Sequence, residues 1–194
     1  DAHAVRVDLD VPCIAVVTTP AADRGLTVSA FAGRHRAVVA INGDYYSSRT
    51  DGIMIRDGVI YRDAPTRTGL AIYKNGTMKV YEEKATSAKR LLADGALNTY
   101  SFGPGLVVNG KVPSGISSYA ADPDGRHNIQ GHNPRTGIGM LEANHFLFVV
   151  VDGRSPGYSK GVTLAEFAEI FQELGCRTAY NLDGGGPDSL SLQS

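Results

Sequence analysis

Short apolar runs that end abruptly in glycine turns set the pattern of this chain. His145 to Val151 runs straight into Asp152-Gly153-Arg154, and Ala37 to Ile41 runs into Asn42-Gly43-Asp44-Tyr45-Tyr46. A third segment closes in Asn181-Leu182-Asp183-Gly184-Gly185-Gly186. Unbroken β-branched and aromatic runs bounded by turn residues predict buried strands. Between the first and third of these the period changes. Thr163-Leu164-Ala165-Glu166 has the spacing of a capping box, in which the Thr hydroxyl and the Glu carboxylate each take a backbone N–H. Leu164, Phe167, Ala168, Phe171 and Leu174 then recur at helical spacing, with Glu166, Glu169 and Glu173 off the stripe. Gly175 stands where a left-handed helix stop belongs. Strand, helix and strand predict a β-α-β crossover with parallel strands. If those strands are neighbours, Asp152 and Asp183 share one sheet edge.

The remaining pattern is of hairpins. Strands are expected from Ala4 to Leu9 and from Cys13 to Thr18. Ile53–Ile55 and Val59–Tyr61 flank Arg56-Asp57-Gly58, and Gly69–Tyr73 and Met78–Tyr81 flank an Asn75-Gly76 turn. Ser87 to Ala93 reads as a short helix stopped near Gly95, and Val107 to Val112 as a third turn around Asn109-Gly110. Ser114 to Gln130 is the longest irregular stretch, the profile of a binding loop, a lid or a disordered segment. The predicted class is α+β: a mixed β-sheet with antiparallel hairpins and a C-terminal β-α-β unit, in a single domain over residues 1–194.

Composition narrows the function classes. At 194 residues the chain can bury a substantial core, and 42% hydrophobic with 20% charged residues is ordinary for a globular protein. A formal net charge of −1 and no basic run argue against nucleic acid as a partner. No stretch is long enough to span a bilayer, and Asp1-Ala2-His3 carries no signal-peptide pattern. Cys13 and Cys176 lie in apolar contexts and read as buried free thiols, with one long-range disulfide as the alternative. The five histidines, His3, His35, His127, His132 and His145, show no zinc-ligand spacing. No cofactor is expected, although Asp44, Asp152 and Asp183 could hold a divalent cation through oxygen.

Ligands of open α/β sheets bind outside the carboxyl ends of strands. Three strand-like runs deliver Asn42 and Asp44, Asp152, and Asn181 and Asp183 to such ends. An Asp at a strand end is also an ordinary turn residue, so each one alone reads as structural. Gly184, Gly185 and Gly186 add backbone N–H groups that no side chain obstructs. A carboxylate beside such a cradle suits a substrate with a phosphate and an electrophilic carbon.

Five motifs in order resemble the phosphodiester glycosidase family: Asn42-Gly43-Asp44-Tyr45-Tyr46, Ser101 to Val107 (SFGPGLV), Pro134-Arg135-Thr136-Gly137-Ile138-Gly139, Val151-Asp152-Gly153-Arg154 and Asn181 to Gly186. The resemblance runs from about Val38 onward. It is to bacterial members in particular, which are similar in carrying Asp44 and Arg154. It implies hydrolysis of a sugar-1-phosphate diester at the glycosidic C–O bond, and an extracellular or cell-envelope location. A phosphomonoester leaves without strong acid help, so one carboxylate near the forming oxocarbenium carbon and positive charge at the phosphate would suffice. The resemblance assigns the carboxylate to Asp183 first and Asp152 second, and the phosphate to Arg135, whose planar fork matches phosphate oxygens. It places Thr136 and the three glycines on the substrate. Asn42 and Asn181 would hold sugar hydroxyls or orient the carboxylates, and Asp44 would bind hydroxyls or modulate charge. Arg154 would be a second phosphate ligand or a turn residue, and His132 a proton carrier or a bland loop residue.

The chain departs from the family where Pro187 and Asp188 replace the small hydroxyl residue that usually follows the glycines. Proline removes one N–H donor, and Asp188 adds negative charge. The chain also ends at Ser194, where related domains usually continue through a further strand, which implies a truncated edge or one completed by another segment. Two rival functions stay open: a metal-dependent phosphodiesterase cleaving P–O, and a catalytically weak glycan-binding domain.

Overall fold

The computed structural model describes residues 2–8, 26–44, 49–120, 129–184 and 190–192. Its main sheet has five strands: β1 (Ala2–Asp8), β8 (Gly105–Val108), β9 (Arg135–Glu142), β10 (His145–Val151) and β11 (Thr178–Leu182). Their order is β1-β10-β9-β11-β8, and every neighbouring pair is antiparallel. A second sheet, β6-β5-β7, joins β5 (Thr68–Tyr73), β6 (Met78–Glu82) and β7 (Ala96–Tyr100). The hairpin β3 (Gly52–Arg56) with β4 (Val59–Ala64), and the pair β2 (Val39–Ile41) with β12 (Leu190–Leu192), complete the strands. Among the described residues, three α-helices, α1 (Val28–His35), α2 (Ala88–Ala93) and α3 (Leu164–Glu173), accompany them. The α+β class with antiparallel hairpins holds.

The layers follow from which faces are apolar. On the main sheet, Ile138, Met140, Phe146, Tyr180 and Leu182 face Leu70, Ile72 and Met78 of the second sheet. The opposite face, with Leu147, Val149, Val151 and Ala179, is covered by Leu164, Phe167, Ala168 and Phe171 of α3. Strand β5 alternates between two cores, because Ala71 points instead to Ile53, Ile55, Ala88 and Leu91. Its central residues, Leu70 to Ile72, are therefore apolar and buried on both faces. The capping box of α3 is formed, with Thr163 N donating to Glu166 Oε2 at 2.7 Å and Glu166 N to Thr163 Oγ1 at 3.2 Å.

The crossover is formed, but around an intervening strand. Strands β10 and β11 are parallel and joined through α3, but they are not neighbours: β9 lies between them, antiparallel to both. The reason lies in β9. A β-carbon at Gly137 would stand 2.9 Å from the Phe167 and Phe171 rings, and one at Gly139 2.5 Å from Cys176 Sγ. These glycines let α3 settle directly onto the strand, and they also weaken the strand signal in the sequence. Strand β7 was hidden for a related reason, since its Asn98 and Thr99 are buried polar residues. Both serve the neighbouring hairpin, Thr99 Oγ1 taking Ile55 N–H at 2.8 Å and Asn98 Oδ1 taking Asp57 N–H at 3.0 Å.

The turns at Asp57-Gly58 (φ 48° and 75°) and Asn109-Gly110 (φ 53° and 75°) have both central residues left-handed, as tight hairpins require. Within the long irregular stretch, a 3-10 turn at Ile116–Ser118 pins Ile116 into the core under α3. The strand expected from Cys13 to Thr18, and Cys13 itself, lie outside the described residues. Cys176 is a buried free thiol, and burial pushes its pKa up to about 12, which keeps it protonated and inert. No helix among the described residues is long and apolar enough to cross a membrane.

Candidate active site

The strand order assembles the site. Because β9 runs antiparallel between β10 and β11, its first two residues meet their last ones: Val151 lies opposite Arg135, and Leu182 opposite Thr136. Asp152, Arg135 and Asp183 thus stand at three adjacent strand ends on one edge. The fourth motif joins through the backbone, where Asp183 N–H donates to Gly43 O at 3.0 Å. Asn42, at the end of β2, is half-buried beside it.

The hub of this edge is the backbone of Asn133-Pro134-Arg135. A β-carbon at Gly184 would stand 2.2 Å from Pro134 O, one at Gly153 2.5 Å from Pro134 N, and one at Gly161 2.3 Å from Asn133 O. Two loops, those after β10 and β11, therefore touch one segment at three glycines where a β-carbon would clash. Asn133 also exchanges two backbone hydrogen bonds with Val162, at 3.2 and 3.1 Å. Such contacts hold the loops after β10 and β11 in fixed relation to the start of β9.

Arg135 is only 3% exposed. Its Nε donates to Val162 O at 3.1 Å, and its Nη2 to Ile129 O at 2.6 Å and Gly131 O at 2.9 Å. Most of its donor fork is therefore committed to the protein, and only Nη1 is left for a ligand. Burial, and then the nearby Arg154 guanidinium, pull its pKa down to about 10. Arg154 Nη2 donates to Asn133 Oδ1 at 2.8 Å. Neither guanidinium has a carboxylate partner among the described residues. The two guanidiniums stand together, with Asp152 and Asp183 at the adjoining strand ends. Arg154 also adopts φ 55°, a left-handed conformation costly for a residue with a β-carbon.

Asp152 Oδ2 accepts from the Tyr158 hydroxyl at 3.1 Å and lies 3.6 Å from His3 Nε2 on β1. The carboxylate raises the Tyr158 pKa and keeps the phenol protonated. His132 Nε2 sits 3.6 Å from Glu166 Oε2 at the start of α3. Beside these groups opens a broad depression lined by His132, Arg154, Ser155, Tyr158 and Lys160, among others.

Three residues expected to touch substrate are turned into the protein. Asp44 has a side chain only 7% exposed; its Oδ1 accepts from Arg56 Nη2 at 3.3 Å and its Oδ2 from Ser101 N at 2.9 Å. It is a buried ion-pair partner, not a hydroxyl ligand. Asn181 is buried, and its Nδ2 donates to Gly103 O at 2.9 Å while its backbone N–H donates to Pro104 O at 3.0 Å. It fastens β11 to the turn before β8 and does not reach a sugar. Thr136 is fully buried on the inter-sheet face of β9, where substrate cannot reach its hydroxyl. Alternation along β9 and β11 explains two of these, since every second residue at a strand end must point into a layer. Gly184 belongs to the hub, whereas Gly185, Gly186, Pro187 and Asp188 lie outside the described residues.

Asp44, Asp152 and Asp183 do not form a group of three that could share a metal ion among the described residues. Sequence reasoning missed Tyr158 and Asn133, which hold Asp152 and Arg154. The only signal for Asn133 was its place just before the Pro134-Arg135 motif, and nothing marked Tyr158.

The sequence matches the phosphodiester glycosidase family over residues 35–193. The chain belongs to that family. The SPbeta prophage-derived uncharacterized protein YomE of Bacillus subtilis (strain 168) is 35% identical over 174 residues, covering 86% of this chain and 26% of YomE. This chain therefore spans about a quarter of that relative. The zebrafish N-acetylglucosamine-1-phosphodiester alpha-N-acetylglucosaminidase catalytic domain, auto-inhibited by pro-peptide, has a TM-score of 0.68 at 23% identity over 86% of this chain and 57% of that one. A hypothetical protein from Synechocystis has a TM-score of 0.62 at 15% identity over 98% of this chain and 52% of that one. These two likenesses show the shared fold.

Proposed function

We propose that the chain hydrolyses the glycosidic C–O bond of a sugar-1-phosphate diester at the edge formed by β9, β10 and β11. The observation that carries this reading is the pair Arg135 and Arg154. Among the described residues neither guanidinium has a carboxylate partner, and both lie beside the strand ends that carry Asp152 and Asp183. A phosphate seated there meets both guanidiniums, and its ester oxygen becomes a better leaving group as negative charge develops on it. Arg154 makes the direct contact, and Arg135 supplies charge from beneath through Nη1.

Asp183 is the carboxylate for the oxocarbenium carbon. Its backbone is held by Gly43 and the following Gly184 rests on Pro134, so the carboxylate is fixed relative to the cationic pair. Asp152, tied to Tyr158 and His3, flanks the phosphate side and orients the incoming water. Water adds to the anomeric carbon as the C–O bond breaks. The sugar leaves with a new hydroxyl, and the aglycone keeps the phosphate as a monoester.

Hydrolysis of a sugar-1-phosphate diester in oxygen-18 water tests this directly. Label in the sugar hydroxyl, with unlabelled phosphate, is the expected result. Label in the phosphate moves the protein to P–O cleavage, and no turnover of any such diester leaves a glycan-binding domain.

A further inference from the structure

The edge strand β1 buries little. Only Val5 and Val7 are half-buried, and its other side chains are exposed. It also lies before residue 35, where the family match begins. Its residues nonetheless pair in unbroken register with β10, from Ala2 opposite Val151 to Asp8 opposite His145. Residues directly opposite share a face, so His3, Val5 and Val7 stand with Val150, Phe148 and Phe146 on the side toward the second sheet.

Asp152 follows Val150 by two residues and lies diagonally across from His3 on that face. His3 Nε2 reaches Asp152 Oδ2 at 3.6 Å, the same oxygen that accepts from the Tyr158 hydroxyl. At the far end of the strand, Asp8 Oδ1 meets His145 Nδ1 at 2.7 Å and Arg6 Nε at 2.9 Å, and His145 Nε2 lies 3.9 Å from Glu142 Oε1. This cluster locks the register. A slip of one residue would carry His3 to the α3 face, away from Asp152.

We infer that β1 is a working part of the site and that His3 is a positioning residue for Asp152, acting while its imidazole is charged. A phenol and an imidazolium on one oxygen fix the carboxylate and leave Oδ1 for the incoming water. The inference rests on the proposed reading of Asp152 as the group that orients that water. At 3.6 Å the contact is an ion pair and not a hydrogen bond, so it needs the charged imidazole. Asp152 and Tyr158 are the titratable groups that face it, and the phenol stays protonated. The pair is therefore complete at mildly acid pH and is lost as pH rises through the imidazole range.

Turnover of a sugar-1-phosphate diester at about pH 5.5 and about pH 8, either side of the interval in which an imidazole changes charge, provides the test. His3→Gln should lower kcat about threefold at the acid value, the scale of one exposed ion pair, and leave it unchanged at the alkaline one. His3→Lys, charged at both, should match wild type in acid and exceed it in alkali. A loss that is equal at the two pH values, or one that His3→Lys does not restore, overturns the inference. Hydrogen exchange of the β1 amides reads the same contact without turnover. In acid, His3→Gln and Asp152→Asn should each lower protection about threefold, and the double variant no further. If wild type cleaves no such diester while that non-additive loss is seen, the contact stands and the glycosidase reading falls. Additive losses, or unchanged protection, remove the contact and overturn the inference.

Discussion

Replacing Arg135 with alanine separates the structural role of this side chain from the phosphate-binding role proposed for it. The guanidinium is almost fully buried and satisfies the carbonyls of Val162, Ile129 and Gly131. Once the fork is gone, Val162 O keeps the Asn133 N–H at 3.2 Å and Gly131 O keeps Asn133 Nδ2 at 3.0 Å, while Ile129 O loses its donor. A hydrogen bond from a charged donor contributes roughly 1.5–3 kcal/mol, and an orphaned buried acceptor costs about 1–3 kcal/mol. Partial access of water to the loops discounts the sum, so a loss of about 3–5 kcal/mol is expected. In a chain of this size each kcal/mol moves Tm by roughly 2–4 °C, which puts the variant about 6–20 °C below wild type. Arg135→Lys keeps the charge but not the fork, and should recover less than half of the loss. Urea unfolding with kcat measured on the same preparations is the assay. A variant that loses turnover yet unfolds within about 1 kcal/mol of wild type would refute the reasoning, and Arg135 would then be a ligand residue only.

On the proposed reading of Asp183 as the carboxylate for the oxocarbenium carbon, Asp183→Asn should lower kcat about a hundredfold or more while changing stability by less than about 1 kcal/mol; a variant that fails to fold would make Asp183 a structural turn residue. Arg56→Met leaves the buried Asp44 carboxylate with only the Ser101 N–H and should cost about 3–5 kcal/mol, and a double variant with Asp44→Leu that is no more stable than Arg56→Met alone would contradict this. Gly161→Ala meets Asn133 O at 2.3 Å in a residue with φ 86°, so a loss of about 2 kcal/mol or more is expected in chemical denaturation; wild-type stability would show the hub to be loose. The Glu166 pKa is lowered by the Thr163 backbone and hydroxyl bonds, so the unfolded chain binds the proton more tightly and the α3 cap weakens as pH falls below 4.5. Glu166→Gln keeps the capping geometry without the titration, and the urea midpoint of that variant should fall less steeply from pH 6 to pH 3; identical slopes would count against the cap.

Local chemistry is what the sequence could express. The capping box at Thr163, the stripe of α3 and the Asp-Gly and Asn-Gly hairpins depend on neighbours within a few residues, so they were legible from spacing alone. The five motifs were legible as a set and pointed to the family. Their arrangement was not, because strand order depends on partners far apart in the chain. The glycines of β9 disguise a strand whose identity comes from α3 pressing on it, and that strand puts Arg135 between Asp152 and Asp183. Burial was equally hidden. Asp44, Thr136 and Asn181 have the residue types of a polar site, yet side-chain direction at a strand end is set by which layer covers each face. Only the packed layers decide whether a polar group meets solvent or a backbone partner. Residues alone nominate the chemistry, whereas the tertiary structure selects which of them can reach a substrate.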